Sequence, residues 1–362
     1  MQKPIHYKAN NWVDGMKLAS DHFIKNDLYV ADALRDIASL PLIDYNYGFL
    51  PDFNTGKDTQ GIVVLDKGSG FLEVVVNSCN AVTADGCRID IHAQTATEAL
   101  RLNSSLRTSE LVNGTHYVVI QVNPFKRIPT GVPDPQESPM RYPEVRKEYS
   151  LQMLSEQSLL GENVQGFFLP IAQLYCVNGT ASLSKGYIPP SVCLQSQAKL
   201  LAIHAKWYRQ LVEIQQSAFS IMDKTAATQK NVSELGLNIR MLSSKLLDFI
   251  ASAMFTYRYM LPSQSPIYMV EYFSSLAHTF FTGIRIVASG PREEMLNYFY
   301  EWKDVTPGNF EERIADVIEL NYNHLNCVQS LDMIDDFMLV LRSLWAKLAT
   351  LEYIGQRREN IV

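Results

Sequence analysis

The side chains of this sequence best suited to chemistry are seven histidines, five cysteines and one tight group of aspartates. Their spacing argues against a reaction centre. The histidines stand at 6, 22, 92, 116, 204, 278 and 324, and no two share a metal-ligand interval. His278 follows Glu271 by two helical turns, but a bundle metal site needs Glu-x-x-His pairs from facing helices, and none is present. The cysteines at 79, 87, 176, 193 and 327 form no C-x-x-C, and Cys79 and Cys87 read as structural thiols. Asp332, Asp335 and Asp336 are the densest acidic group. On a helix Asp332 and Asp336 fall one turn apart, off the apolar face, and read as a solvated surface with Asp335 nearer the seam. There is no G-x-S-x-G, G-x-G-x-x-G, P-loop, H-E-x-x-H or EF-hand pattern. The sequence therefore predicts no catalytic residue, metal or cofactor, and a protein that is not an enzyme.

The elements that would carry these residues fall into two halves. With 362 residues and 47% hydrophobic side chains, the chain can bury more than one core. Its net charge of −6, from 32 basic and 38 acidic residues without a Lys/Arg run, gives no reason to seek nucleic acid. The start, Met1 to Lys8, lacks the apolar core of a signal peptide, and the most apolar windows (246–261 and 267–288) are broken by charges. An odd, dispersed cysteine set suits a reducing compartment, which makes the sequons at Asn113, Asn178 and Asn231 accidental and places the protein in a cytoplasm.

Residues 1–193 are mostly short apolar runs between turn signals, after one helical stretch, Ser20 to Ser39, expected to pack outside the strands. Gly61–Leu65 and Phe71–Asn77 flank a Gly-rich turn and predict a hairpin. Further strands are expected at Cys87–His92, Thr115–Val122, Glu148–Leu154, Gly166–Cys176 and Thr180–Leu183, the pattern of an antiparallel β-sandwich. Six prolines between Pro124 and Pro143 predict a long exposed loop. Its charges Lys126, Arg127 and Arg141 are candidate partner contacts.

After Pro189-Pro190 the period changes. From Leu194 to Met222 one stripe advances by steps of four and three through Leu201, Tyr208, Val212 and Gln215. A second stripe runs through Leu200, Ile203, Trp207, Ile214, Ala218 and Ile221. A helix with two apolar faces must be covered twice, so residues 194–362 read as a helical bundle in which one face meets other copies. Leu194, Leu201, Tyr208 and Val212 are the candidate oligomer contacts, with Gln215 as a polar register-setting layer. A helix start is expected at Ser265-Pro266, with others at Pro291 and Thr306-Pro307.

The N-terminal segment Asn11-Trp-Val-Asp-Gly-Met-Lys-Leu18, followed by Asp21-His22-Phe23, is rich in aromatics but lacks core periodicity. It reads as an anchor that buries Trp12, Met16 and Phe23 against something, with Gly15 in its turn and His22 beside Phe23. This segment resembles the opening of the TssK family, the baseplate subunit of bacterial type VI secretion. Asn80–Ile89, Tyr117–Gln121, Phe168–Leu174, Gly186-Tyr-Ile-Pro-Pro190 and Ser265–Tyr268 are similar to family landmarks in the same order.

The resemblance implies an α+β multidomain chain: a β-sandwich shoulder (1–193), then a helical neck (194–362), assembled as a homotrimer. It implies partnership with the wedge subunits TssF and TssG and a place at the cytoplasmic face of the inner membrane. A third, C-terminal head domain usually contacts the membrane complex, and the residues after Leu348 leave no room for one, so an indirect or unusual route to that complex is expected. The alternatives are a phage-like tail or receptor-binding protein of the same architecture, and a hydrolase with a helical appendage.

Overall fold

The computed structural model describes residues 3–51, 61–66, 70–91, 102–109, 111–161, 167–178, 180–226, 232–303 and 306–356. His92 and Asn231 lie outside them. Contacts divide the chain into two units, Met1–Gln197 with His324–Asn326, and Ala198–Asn323 with Cys327–Val362.

The first unit starts with helix α1 (Ser20–Ser39), then strands β1 (Gly48–Phe49), β2 (Ile62–Asp66), β3 (Phe71–Val76), β4 (Cys79–Val82) and β5 (Arg88–Ile91). It continues with β6 (Leu102–Arg107), β7 (Gly114–Thr130), β8 (Glu144–Ser155), a single-turn helix α2 (Glu156–Leu160), β9 (Phe167–Val177) and β10 (Thr180–Leu183). β2 and β3 pair as the hairpin expectation requires, with Asp66 opposite Leu72 and Ile62 opposite Val76, while residues 67–69 of the turn lie outside the described residues. β6, a polar Leu-Asn-Ser-Ser-Leu-Arg run that alternation does not flag, closes the sheet β2-β3-β6. A second sheet is β1-β4-β5 and a third is β10-β9-β7-β8.

All three sheets turn apolar residues into one core. Val74 and Val76 of β3, Ala81 of β4, Ile89 of β5, Val118 and Ile120 of β7, and Leu169 of β9 share it. β7 and β9 are also covered on their other face, where Tyr117 and Val119 pack with Tyr187 and Phe168. That double burial explains why Tyr117–Gln121 reads as an unbroken apolar run.

The loop expected over Pro124–Pro143 is shorter than the prolines suggest. β7 runs on to Thr130 and pairs with β8, Pro129 lying opposite Val145, after a register slip between Asn123 and Arg127. Beyond Val122, however, β7 has lost β9. Among the described residues its edge away from β8 is unpaired there, where a residue lacking N–H leaves no ladder bond unmade.

The second unit is helical: α3 (Ala198–Lys224), α4 (Glu234–Phe255), α5 (Pro266–Ile286), α6 (Ser289–Lys303), α7 (Pro307–Ile318) and α8 (Val328–Thr350). Ser233 and Thr306 cap α4 and α7 by accepting the amides of Gly236 and Asn309, and Pro266 and Pro307 open their helices. The core gathers Trp207, Phe273, Phe280 and Trp345, the last donating its indole N–H to Ser243 at 3.1 Å.

Of the two stripes on α3, the inward one holds Leu200, Trp207, Ile214, Ala218 and Ile221, all fully buried together with Leu211, while Ile203 is half-buried. The other is left on the surface: Leu201 and Phe219 are 37% and 53% exposed, and Tyr208, Val212, Gln215 and Met222 are half-buried. Gln215 therefore is no buried layer of this unit. The buried polar residue of α3 is Gln210, whose Oε1 has no partner among the described residues. Leu194 is fully buried within the first unit, in a short 3-10 turn before α3, and has no surface to offer another copy.

Candidate functional site

The titratable groups singled out by sequence are spent on structure. Asp335 accepts the Trp207 indole N–H at 2.8 Å and pairs with Lys206 at 2.6 Å, tying α8 to α3. Asp332 and Asp336 stay on the exposed side of α8; partial burial, then repulsion from Asp335 and Asp336, raises the pKa of Asp332. All five cysteines are buried free thiols, and burial pushes Cys87 and Cys327 each up to about 12, the reverse of nucleophile activation.

His204 donates from Nε2 to the carbonyl of Tyr257 at 2.8 Å, and the Tyr257 hydroxyl returns a bond to the His204 carbonyl. The receiving carbonyl lies in a π-helical turn (Thr256–Met260), where the widened spiral frees it from its usual partner. His324 donates to the Tyr47 carbonyl at 2.8 Å inside the first unit, and burial holds its pKa down at about 4. His278 is exposed. Among the described residues no three His, Cys, Asp or Glu side chains gather as a metal site.

What the first unit does assemble is an exposed apolar surface around α1. Gly86, in the turn between β4 and β5, has φ +84°, and a Cβ there would lie 2.4 Å from the Arg35 carbonyl oxygen and 2.8 Å from the Ser39 nitrogen. Only glycine permits both the turn and the approach of α1.

The face of α1 that comes down on this turn is polar: Asp32, Arg35 and Ser39 are its buried residues. Arg35 pairs with Asp32 at 2.9 Å, the two side chains being 2% and 0% exposed. Each is saturated by backbone. Asp32 Oδ2 accepts the amides of His6 and Tyr7, at 2.5 and 3.0 Å. Arg35 donates to the carbonyls of Lys3, Pro4 and Asp85. Burial alone would raise the pKa of Asp32, but the Tyr7 and His6 amides and Arg35 outweigh it and hold the carboxyl below its ordinary value. This ionic hub straps residues 3–7 along α1, reinforced by a Lys3–Asp85 ion pair and by Tyr7 packing on Phe125 at 4.9 Å.

Beyond the strap the chain loops out. Met16 N–H bonds to the Val13 carbonyl across a turn in which Gly15 takes φ +78° with open space around it. The loop then folds back: the Trp12 ring lies 6.2 Å from His22 and 6.3 Å from Phe23. Asn10 bonds the His22 carbonyl, and His22 Nδ1 accepts the Ala19 amide, capping α1. Trp12, His22 and Phe23 are thus brought together, with Trp12 and Phe23 about half exposed. Met16 is half-buried and Gly15 exposed.

The ribbon joins the same surface, because Arg127 pairs with Asp27 of α1 at 2.6 Å. Lys126 pairs with Glu148, and Arg141 with Glu137. The three cations picked out by sequence are therefore locally neutralised. What the ribbon tip adds is apolar: Val132, Met140, Tyr142 and Val145 are exposed. The sequence reading missed Asp32, Arg35 and Gly86, which position this surface. A mid-helix Asp-x-x-Arg pair opposite an apolar stripe was the available signal.

Among the described residues the chain is an α+β protein with a three-sheet β unit, a helical unit and an exposed apolar surface on α1. No protein-family model matches the chain, and no curated protein matches its sequence. By structure it is similar to the crystal structure of TssK, with a TM-score of 0.53 over 93% of this chain and 70% of that one, at 15% identity. TssK from the type VI secretion system of EAEC, in complex with a nanobody, aligns at TM-score 0.49 and 12% identity over 88% of this chain and 96% of that one. A type VI secretion baseplate complex aligns at 0.48 and 13% identity over 95% and 99%. The fold is TssK-like.

Proposed function

We propose that this chain is a TssK-type baseplate subunit of a type VI secretion apparatus, a non-enzymatic homotrimeric adaptor between the baseplate wedge and the membrane-anchored complex. The observation that carries the reading is the TssK-like fold across 93% of the chain, which runs through both units. The collinear landmarks support it, and the structure gives them physical reasons. Gly86, within the Asn80–Ile89 landmark, admits α1. The Pro189-Pro190 exit is clamped on β1, where Phe49 N–H bonds the Pro190 carbonyl at 2.8 Å and a Cβ on Gly48 would collide with it.

In this reading the outward stripe of α3, Leu201, Tyr208, Val212, Gln215 and Phe219, faces other copies of the chain. The surface carrying Trp12, Gly15, Met16, His22 and Phe23, with the ribbon that bears Lys126, Arg127 and Arg141, meets other baseplate components, TssF and TssG among them. The apparatus would hold the protein at the cytoplasmic face of the inner membrane. Among the described residues no helix is long and apolar enough to cross a membrane.

The test is genetic and structural together. Delete the gene in its host, follow fluorescent sheath assembly, and complement with the wild-type chain or with Trp12→Ala plus Phe23→Ala. Loss of sheath assembly on deletion, restored by wild type but not by a folded double variant, is expected. Unchanged sheath assembly in the deletion strain would reject the baseplate role.

A further inference from the structure

Helix α1 is amphipathic in the reverse of the usual sense. Its buried face is Asp32, Arg35 and Ser39, and its exposed face is apolar: Phe23, Val30, Leu34, Ile37 and the following Leu40 are between 45% and 63% exposed. A surface helix ordinarily turns its apolar stripe to the core. Here it cannot turn over. Rotation would carry the Asp32–Arg35 pair into water and strip the amides of His6 and Tyr7 of their acceptor. It would also set larger side chains where the Gly86 turn presses on the backbone at Arg35 and Ser39. The ionic hub therefore fixes the apolar stripe outward.

The stripe has an internal order. Phe23, Asp27, Val30, Leu34 and Ile37 are spaced four, three, four and three, the seam of a helix that packs on other helices. Assigning Asp27 and Leu34 to a positions puts Phe23, Val30 and Ile37 at d, and leucine at a with isoleucine at d favours three or four strands over two. The positions flanking the seam, Ile24, Asn26, Ala31, Ala33, Ala38 and Leu40, carry no charge. Nothing there repels an identical helix, and nothing there selects a charged partner. Asp27 is the one charge in the seam. Arg127 of the same chain already neutralises it at 2.6 Å, so gathering several copies would not gather bare carboxylates.

We propose that the outward seam of α1, beyond its Phe23 end, is a self-association surface: three copies of this chain pack their α1 helices together, with Val30, Leu34 and Ile37 as the buried layers. This deepens the trimeric reading and rests on it. It adds a contact in the first unit that is independent of the α3 stripe.

The test uses the full-length chain and two readouts. Sedimentation velocity compares wild type with Leu34→Asp plus Ile37→Asp and with Tyr208→Asp plus Val212→Asp, each checked for native melting. The proposal expects the α1 variant to lose the trimer while keeping wild-type far-UV dichroism. The second readout is a disulfide. Because the five native cysteines are buried, Ile37→Cys supplies an exposed thiol on the seam. Mild oxidation should join two chains of each trimer and leave the third free, while a control Lys25→Cys away from the seam should stay uncoupled.

A trimeric wild type with a trimeric α1 variant and no Ile37→Cys crosslink overturns this inference and leaves the trimeric reading standing. A monomeric wild type at micromolar concentration overturns both. An α1 variant that stays trimeric but no longer binds wedge subunits overturns it too, assigning the seam to a different partner. Should the α1 variant misfold, the Ile37→Cys crosslink decides alone.

Discussion

Removing either partner of the Asp32–Arg35 hub should release the N-terminal strap, and the structure sets how strongly. Both side chains are buried, and breaking a buried ion pair by deleting one member costs about 3–5 kcal/mol, because the survivor is left charged and dry. Asp32 without Arg35 keeps the His6 and Tyr7 amides, so Arg35→Leu belongs near the lower end, about 3 kcal/mol. Arg35 without the Asp32 charge keeps the Lys3, Pro4 and Asp85 carbonyls and has Asp36 at 4.0 Å, so Asp32→Asn should cost less, about 2 kcal/mol. The double variant should cost less than the sum, by about 1–3 kcal/mol of coupling.

The assay is amide hydrogen exchange by mass spectrometry over residues 3–9, with calorimetry for the first unit. A loss of about 3 kcal/mol corresponds to roughly a hundredfold faster exchange at His6 and Tyr7. Acid should act like the mutation. The folded pKa of Asp32 is lowered, so its stabilisation is complete above the unfolded value, near pH 4, and is lost as pH falls through the lower folded value. A less than threefold change in strap exchange in Arg35→Leu would refute the hub, and with it the reason α1 faces outward.

His324→Gln should remove a pH dependence. With a folded pKa of about 4 against about 6.5 unfolded, the buried neutral ring is fully stable above pH 6.5 and loses stability as pH falls toward 4, by up to about 3 kcal/mol; calorimetry from pH 4 to 7 should show that slope flattened in the variant. Gly86→Ala, at φ +84° with its Cβ 2.4 Å from the Arg35 carbonyl, should destabilise the first unit by about 2–4 kcal/mol and loosen α1; wild-type melting would contradict it. Gln210→Leu removes a buried, unpaired Oε1 from α3 and should leave the helical unit as stable or up to about 1 kcal/mol more stable; a large loss in urea unfolding would mean that the amide has a partner.

Most of the fold was legible because its signals are local. The Gly-rich hairpin, the extent of α1 over Ser20–Ser39 and the Ser265-Pro266 helix start all follow from turn chemistry and period, and each stands where the sequence puts it. The two stripes of α3 were also readable, but their direction was not, since period alone does not say which face meets the protein's own core. The misses are tertiary. Pro124 and Pro129 argue against a strand unless one knows that, among the described residues, β9 starts opposite Val122 and only β8 pairs with β7 beyond it. Gln215 drew attention because it sits in a readable stripe, while Gln210, on no stripe, is the glutamine of α3 that ends up buried. The cations Lys126, Arg127 and Arg141 looked available because their carboxylate partners lie 22 and 100 residues away for the first two and in the same loop for the third. The rule that apolar residues go inward points the wrong way for α1, where an ion pair saturated by backbone groups from the strap and the β4–β5 turn takes the buried place.

The central claim is that this chain is a trimeric baseplate subunit. Native mass spectrometry of the chain co-expressed with TssF and TssG addresses that claim most directly. The account predicts a complex that carries this chain in multiples of three and releases it as an intact trimer on mild activation. A monomer that binds neither subunit would contradict it.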